Sequence, residues 1–236
     1  MSAPPGLVVT RRAHAKINLA LSVGPPEGDA GHHPIASWFA PLDLCDDLTL
    51  TCLEPDRASR YAIIWASDAP RSSAVDWSIT KDLAVRAHML LERELGVRMT
   101  VQMKLEKRIP VGGGLGGGSS DAAAMLLALR EMFSLDVSLD DLRVISKELG
   151  SDVAYFLDEQ AGAGQDDDRP RPALVEGFGD RVERSAPVRA HAALIAPSFG
   201  CPTGAVYRTF DALGRAALRA DEVRAMAMEG RIEDGA

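Results

Sequence analysis

The chain has 236 residues, 46% of them hydrophobic, enough to bury a sizeable core as one large domain or as two smaller ones sharing a cleft. The 34 acidic residues against 26 basic ones give a net charge of -8, which disfavours a general nucleic-acid or anionic-membrane surface and points to a small ligand. No apolar run approaches the ~18 residues of a membrane-spanning helix, and residues 1–12 hold no signal-peptide core, so a soluble, cytoplasmic protein is expected.

Three cysteines, Cys45, Cys52 and Cys201, show neither a C-x-x-C pair nor zinc spacing, and their odd number fits no disulfide framework. They read as buried thiols in a reducing compartment. Residues 7–10 and 17–23 read as short strands either side of a turn, 24–34 as a loop of Gly, Pro and His, and 47–52 as the next strand. Tyr61 and Trp65 bracket a short apolar run of buried-strand character.

From Asp82 the period becomes helical. Leu83, Val85, Ala87, Met89, Leu90 and Leu91 form an apolar face, and Gly96 stands where a left-handed C-cap would. A strand is expected over 99–105, then a helix from Ser119 to about Met132 with Ser119 and Ser120 as N-caps, then a helix over 139–149 opened by Ser138. Residues 158–172 hold three consecutive aspartates and two prolines, a solvated loop by composition and the expected domain boundary. Beyond it, 192–196 read as a strand, 203–213 as a helix capped by Thr203, and 220–229 as a further helix. No internal repeat is present at a fixed period.

The most constrained stretch is Pro110-Val111-Gly112-Gly113-Gly114-Leu115-Gly116-Gly117-Gly118-Ser119-Ser120. Glycines permit positive φ and close approach of a ligand to main-chain N–H groups, and the start of the following helix adds unpaired donors and a positive dipole end. Together these features bind phosphate. No Lys-Ser/Thr follows the last glycine, so the loop is not a Walker A motif, and it lacks the spacing of a dinucleotide fingerprint. A flexible linker is the plain alternative, and the capped apolar helix that follows at once speaks against it. Lys104, Lys107 and Arg108 precede the loop and read either as a basic entrance for a nucleotide or as a solvated strand end.

This stretch resembles the second motif of the GHMP kinases. Ala13-His14-Ala15-Lys16-Ile17-Asn18-Leu19, Pro41-Leu42-Asp43-Leu44-Cys45-Asp46, Gly150-Ser151-Asp152-Val153-Ala154-Tyr155-Phe156 and residues 199–211 resemble further motifs of that family, in the same order. The likeness is to the branch acting on a methylerythritol linked to cytidine diphosphate. It implies an α+β GHMP kinase fold, with an N-terminal ATP-binding domain over 1–165 and a partial, ferredoxin-like C-terminal domain over 166–236. The family's third glycine motif has no match, so the chain reads as truncated at its C-terminal side.

The resemblance further implies a small-molecule kinase using ATP and Mg²⁺. It casts Asp152 as the catalytic aspartate and Lys16 as its charged partner, with residues 110–120 on the nucleotide phosphates. Asn18, His32, His33 and Tyr207 fall at substrate positions, His32 standing where the family has tyrosine. Plainer roles stay open for each: a structural ion pair for Lys16, a turn residue for Asp152, helix caps for the serines, surface positions for the histidines and core for Tyr207. Two other functions also stay open, a GHMP kinase for another small alcohol and a nucleotide-binding homologue without catalysis.

Overall fold

The computed structural model describes residues 3–28, 31–73, 77–159, 169–195, 203–214 and 217–230. The chain divides into two compact units. One comprises Met1–Ala15, Leu42–Val111 and Gly116–Pro170, and the other Lys16–Pro41, Gly112–Leu115 and Arg171–Ala236. Two long strands, β1 (Val8–Val23) and β2 (Ile35–Cys52), pair with each other, and each runs through both units.

β1 is one continuous strand, where a turn was expected between two short ones. No Gly or Pro interrupts it, and Ala13, His14, Ala15 and Lys16 are buried in succession. β2 is likewise far longer than the expected 47–52. Pro41 and the aspartates after it imitate a break, yet Pro41 lies inside the strand, where the chain passes from one unit to the other.

In the first unit, β3 (Arg60–Trp65) runs parallel to β4 (Val101–Lys107), and β4 runs antiparallel to β2, with Leu48 opposite Leu105 and Leu50 opposite Met103. Alternate residues of β4 are buried, giving one apolar face. Helix α1 (Leu83–Leu95) opens where the Asp82 carboxylate accepts the N–H groups of Ala84 (2.9 Å) and Val85 (3.4 Å), and it closes at Gly96 with φ 64°. Met89, expected on its apolar face, is exposed, and His88 is buried in its place.

His88 is satisfied on both sides. Its Nε2–H donates to the Met99 carbonyl (2.7 Å) and Nδ1 accepts from the Tyr61 hydroxyl (2.9 Å), so the ring ties α1 to the strands beneath it. Removing the Tyr61 hydroxyl leaves a buried acceptor unpaired. Tyr61→Phe is therefore expected to cost about 1–3 kcal/mol in a urea melt, and an unchanged midpoint would show that the bond contributes nothing net.

Helix α2 (Gly117–Met132) packs on α1 and is almost wholly buried from Ser120 onward. It starts ahead of Ser119 and Ser120, which lie within its first turns rather than at the cap. Helix α3 (Leu139–Ser146) has a reciprocal cap, in which Ser138 Oγ accepts the Asp141 N–H and Asp141 accepts the Ser138 N–H, and it ends short of the expected 149. Helix α4 (Val153–Phe156) is a single buried turn following Asp152.

In the second unit, β5 (Ala173–Gly177) pairs antiparallel with β2, Trp38 facing Leu174, and also with β6 (Arg181–Arg184). Helix α6 (Ala220–Glu229) lays Val223 and Ala227 against Ala36, Trp38 and Leu174. Helix α5 (Thr203–Ala212) lies where the sequence places one, but the Thr203 cap falls outside the described side chains. Residues 192–195 form no strand, and Leu194 and Ile195 are exposed. The short strand β6 went unforeseen because three of its four residues, Arg181, Glu183 and Arg184, are charged and leave no apolar run.

Cys52 is buried but Cys45 is only partly so, against the expectation for both; Cys201 lies outside the described residues. No helix among the described residues is long and apolar enough to cross a membrane.

Candidate functional site

The glycine loop takes up the conformations its composition permits. Gly112, Gly114 and Gly116 have φ of 74°, 70° and 73°, a left-handed region that costs an L-residue roughly 1–2 kcal/mol. Around Gly112 and Gly114 there is room for a side chain, so the demand there is on backbone angle alone. Gly117 is the reverse case: a Cβ at that position would stand 2.9 Å from Ile109 Cγ2, so the absence of a side chain lets helix and chain approach.

Gly116 is the N-cap of α2 and offers no side chain to it; the first bond of the helix runs from Ser120 N–H to Gly116 O (2.9 Å). The N–H groups at the start of α2 precede any intrahelical acceptor, so the loop runs into a row of donors at the positive end of the helix. Ser120 is buried and Ser119 half-buried in this turn. At the other side of the loop, the Lys16 N–H donates to Leu115 O (2.9 Å), within the second unit.

The first unit holds a charge cluster that sequence reasoning missed. Lys107 Nζ, expected either at a basic entrance or in solvent, is buried between Asp46 Oδ2 (2.6 Å) and Asp121 Oδ2 (2.5 Å). Asp46 Oδ1 also accepts the main-chain N–H groups of Arg108 and Ile109 (2.8 Å for Ile109). Burial works against the Lys107 charge, yet the two carboxylates hold its pKa above the ordinary lysine value. Burial pushes the Asp121 carboxyl well above the usual carboxylate range, against the pull of Lys107. Asp121 Oδ1 has no hydrogen-bond partner among the described residues. Lys104 is exposed and pairs with Glu106, and the half-buried Arg108 pairs with Asp47 and Asp68.

The proposed catalytic residues fall in different units, Lys16 in the second and Asp152 in the first. Lys16 is 5% exposed, and its Nζ donates to Asn18 Oδ1 (2.8 Å) and lies 4.4 Å from the centre of the Phe39 ring. Asn18 Nδ2 donates in turn to Ser37 Oγ (2.8 Å), and Ser37 Oγ to Ala20 O (2.7 Å). This chain fixes both Lys16 and Asn18. Asp152 precedes α4 rather than a strand, and its side chain makes no cap bond to that helix; Ser151 Oγ donates to Asp152 Oδ1 at 3.4 Å.

His33 and Tyr207 come together in the second unit, their ring centres 4.9 Å apart. His33 Nδ1–H donates to Gly24 O (2.8 Å), and Nε2 lies 3.3 Å from Asp211 Oδ1. His32 is exposed and meets Phe178 edge-on at 6.3 Å instead of joining this pair. Asp211 closes the stretch 199–211 that resembles a family motif but was given no role of its own, and Phe178 has no local pattern that marks it.

Residues 82–160 match the GHMP kinases N terminal domain. The chain is 38% identical over 208 residues to the 4-diphosphocytidyl-2-C-methyl-D-erythritol kinase of Caulobacter sp. (strain K31), an overlap covering 85% of this chain and 62% of that protein. It is 35% identical to the protein of the same name from Bacillus pumilus (strain SAFR-032), covering 86% and 64%. The chain thus spans about three fifths of the length of these relatives. Among solved structures it is similar to a crystal structure of 4-(cytidine 5'-diphospho)-2C-methyl-D-erythritol kinase, with a TM-score of 0.60 and 33% identity, covering 85% of this chain and 63% of that one.

Proposed function

We propose that this chain is a GHMP kinase, since residues 82–160 match that family's N terminal domain, and that it binds ATP at residues 110–120 and transfers the γ-phosphoryl group to the 2-hydroxyl of 4-diphosphocytidyl-2-C-methyl-D-erythritol, a step of non-mevalonate isoprenoid synthesis. The observation that carries the reading is the run of left-handed glycines ending in a helix start with no side-chain cap. Such an arrangement offers main-chain donors to a polyphosphate without steric obstruction.

Phosphoryl transfer needs an oriented hydroxyl, a group to take or order its proton, and positive charge on the transferred group. Asp152 is assigned the second role and Lys16 the third. Lys16 suits it, being a buried ammonium whose main chain is bonded to the phosphate loop and whose side chain is held by Asn18. Asn18 is assigned to the substrate side as well as to Lys16. Tyr207 and His33 are assigned to the cytidine end, where an aromatic pair offers a stacking face. His32, exposed and set against Phe178, is assigned to the rim of that end.

Magnesium belongs to the same proposal. Among the described residues no group of three or more His, Cys, Asp or Glu side chains is placed to hold a metal. The cation is proposed to arrive with the nucleotide, since Mg²⁺ keeps phosphate oxygens and waters as ligands and takes few from protein. The Ser119 and Ser120 hydroxyls at the start of α2 are the side chains assigned to the phosphates and their cation. When bound, the ion neutralises charge on the transferred phosphate. An N-terminal ATP-binding domain over 1–165, a partial C-terminal substrate-side domain over 166–236 and a cytoplasmic setting are parts of this reading too.

The test is incubation of the purified chain with MgATP and, in parallel, the cytidylated methylerythritol, mevalonate and homoserine. Phosphorylation of the first alone is the expected result. Turnover of another alcohol in preference would retain the kinase and overturn the substrate, and transfer to none by a folded, ATP-binding chain would overturn catalysis.

A further inference from the structure

The loop residues 111–114 are exposed, and three of the glycines adopt angles that any glycine chain can leave as readily as it enters. Burial within the loop itself therefore does little to hold it in a receptive shape. Its two ends are another matter. Asp46 receives the main chain entering the loop at Arg108 and Ile109, Lys107 bridges from Asp46 to Asp121, and Asp121 belongs to the helix that leaves the loop. Ile109 adds a second contact between the ends, packing where Gly117 has no side chain.

We propose that Asp46, Lys107, Asp121 and Ile109 form a buried clasp that sets the spacing between the two ends of the glycine loop, and that this spacing, rather than charge from the cluster, is what they contribute to nucleotide affinity. The inference rests on the reading of residues 110–120 as a phosphate site. All four members are buried, with exposures of 0%, 4%, 1% and 1%. The cluster holds two carboxyls for one lysine, so it has no surplus positive charge to offer a phosphate, and its effect must come through position. A loop whose ends are preset loses less freedom on binding, which is where a glycine-rich site otherwise forfeits affinity.

The positioning role makes a distinction that plain electrostatics or plain stability would not. Asparagine at 121 keeps an oxygen for Lys107 and removes the ionisable group, whereas alanine removes the bond. We expect Asp121→Ala to bind ATP about tenfold more weakly, or about 1.4 kcal/mol, in a calorimetric titration. In the free protein, amide exchange over 111–119 should rise about tenfold while the amides of α1 stay as in the wild type. Asp121→Asn should stay within about threefold of the wild type in both measurements, the margin allowed for a retained hydrogen bond.

A folded Asp121→Ala with wild-type loop exchange and affinity, or an Asp121→Asn as impaired as the alanine variant, overturns the clasp. Should Asp121→Ala not fold, Gly117→Ala takes its place, since its methyl group must displace Ile109. The same loosening of 111–119 is expected, and wild-type behaviour again overturns the idea. If the wild type binds no ATP, the phosphate reading falls, and loop exchange in the variants still decides whether the clasp exists.

Discussion

On the proposed kinase reading, Asp152→Asn is expected to lower phosphoryl transfer by about 10²–10⁴-fold while leaving the fold and the affinity for ATP near those of the wild type, the range for loss of a positioned proton acceptor. Asparagine preserves shape and one acceptor oxygen but cannot take a proton. The competing role, an aspartate kept for a turn, predicts the opposite pattern of lost stability and retained turnover. Asp152 lies in the turn closed by Val153 N–H on Gly150 O (3.3 Å), its side chain makes no cap bond to α4, and Val153, Ala154, Tyr155 and Phe156 are buried, so the variant decides between the two roles. A melting temperature that falls in step with residual activity would return Asp152 to a structural role.

Lys107→Met destabilises the chain more than any surface change. Methionine fills the space but leaves Asp46 and Asp121 facing each other without a cation, and removing one partner of a buried charge set costs about 3–5 kcal/mol. The pH dependence carries the sign. The Asp121 carboxyl already titrates well above its ordinary value, and without Lys107 the pull that opposed this rise is gone. A carboxyl raised in the folded state contributes stability that is present below its unfolded pKa of about 4 and is lost as pH rises through the folded value. The variant should therefore lose stability relative to the wild type progressively from about pH 4 upward. A deficit equal at all pH values would mean that only packing had been disturbed.

The parts of this molecule legible in the sequence were those specified locally. Asp82, the apolar period and Gly96 mark α1 within a few residues of one another, and the glycine loop declares itself by composition. Lys16 stood out in the sequence as a charge at the head of the apolar run 17–23. Lys107 was not, because the carboxylates that bury it come from β2 and α2, and nothing in the residues around 107 foretells their approach. The serines misled for a physical reason: they are good caps, but Gly117 and Gly118 turn helical ahead of them once Ile109 packs against Gly117. β1 and β2 were underestimated because polar residues and Pro41 break their periodicity without breaking their pairing.

The most direct measurement is a titration of the isotopically labelled chain with ATP, followed by the amide resonances. The account predicts saturable shifts that are largest for residues 112–120 and a matching loss in Gly114→Val, whose branched side chain cannot comfortably hold a φ of 70°. Saturable shifts centred elsewhere, with residues 112–120 unmoved, would contradict the assignment of the glycine loop to nucleotide phosphate.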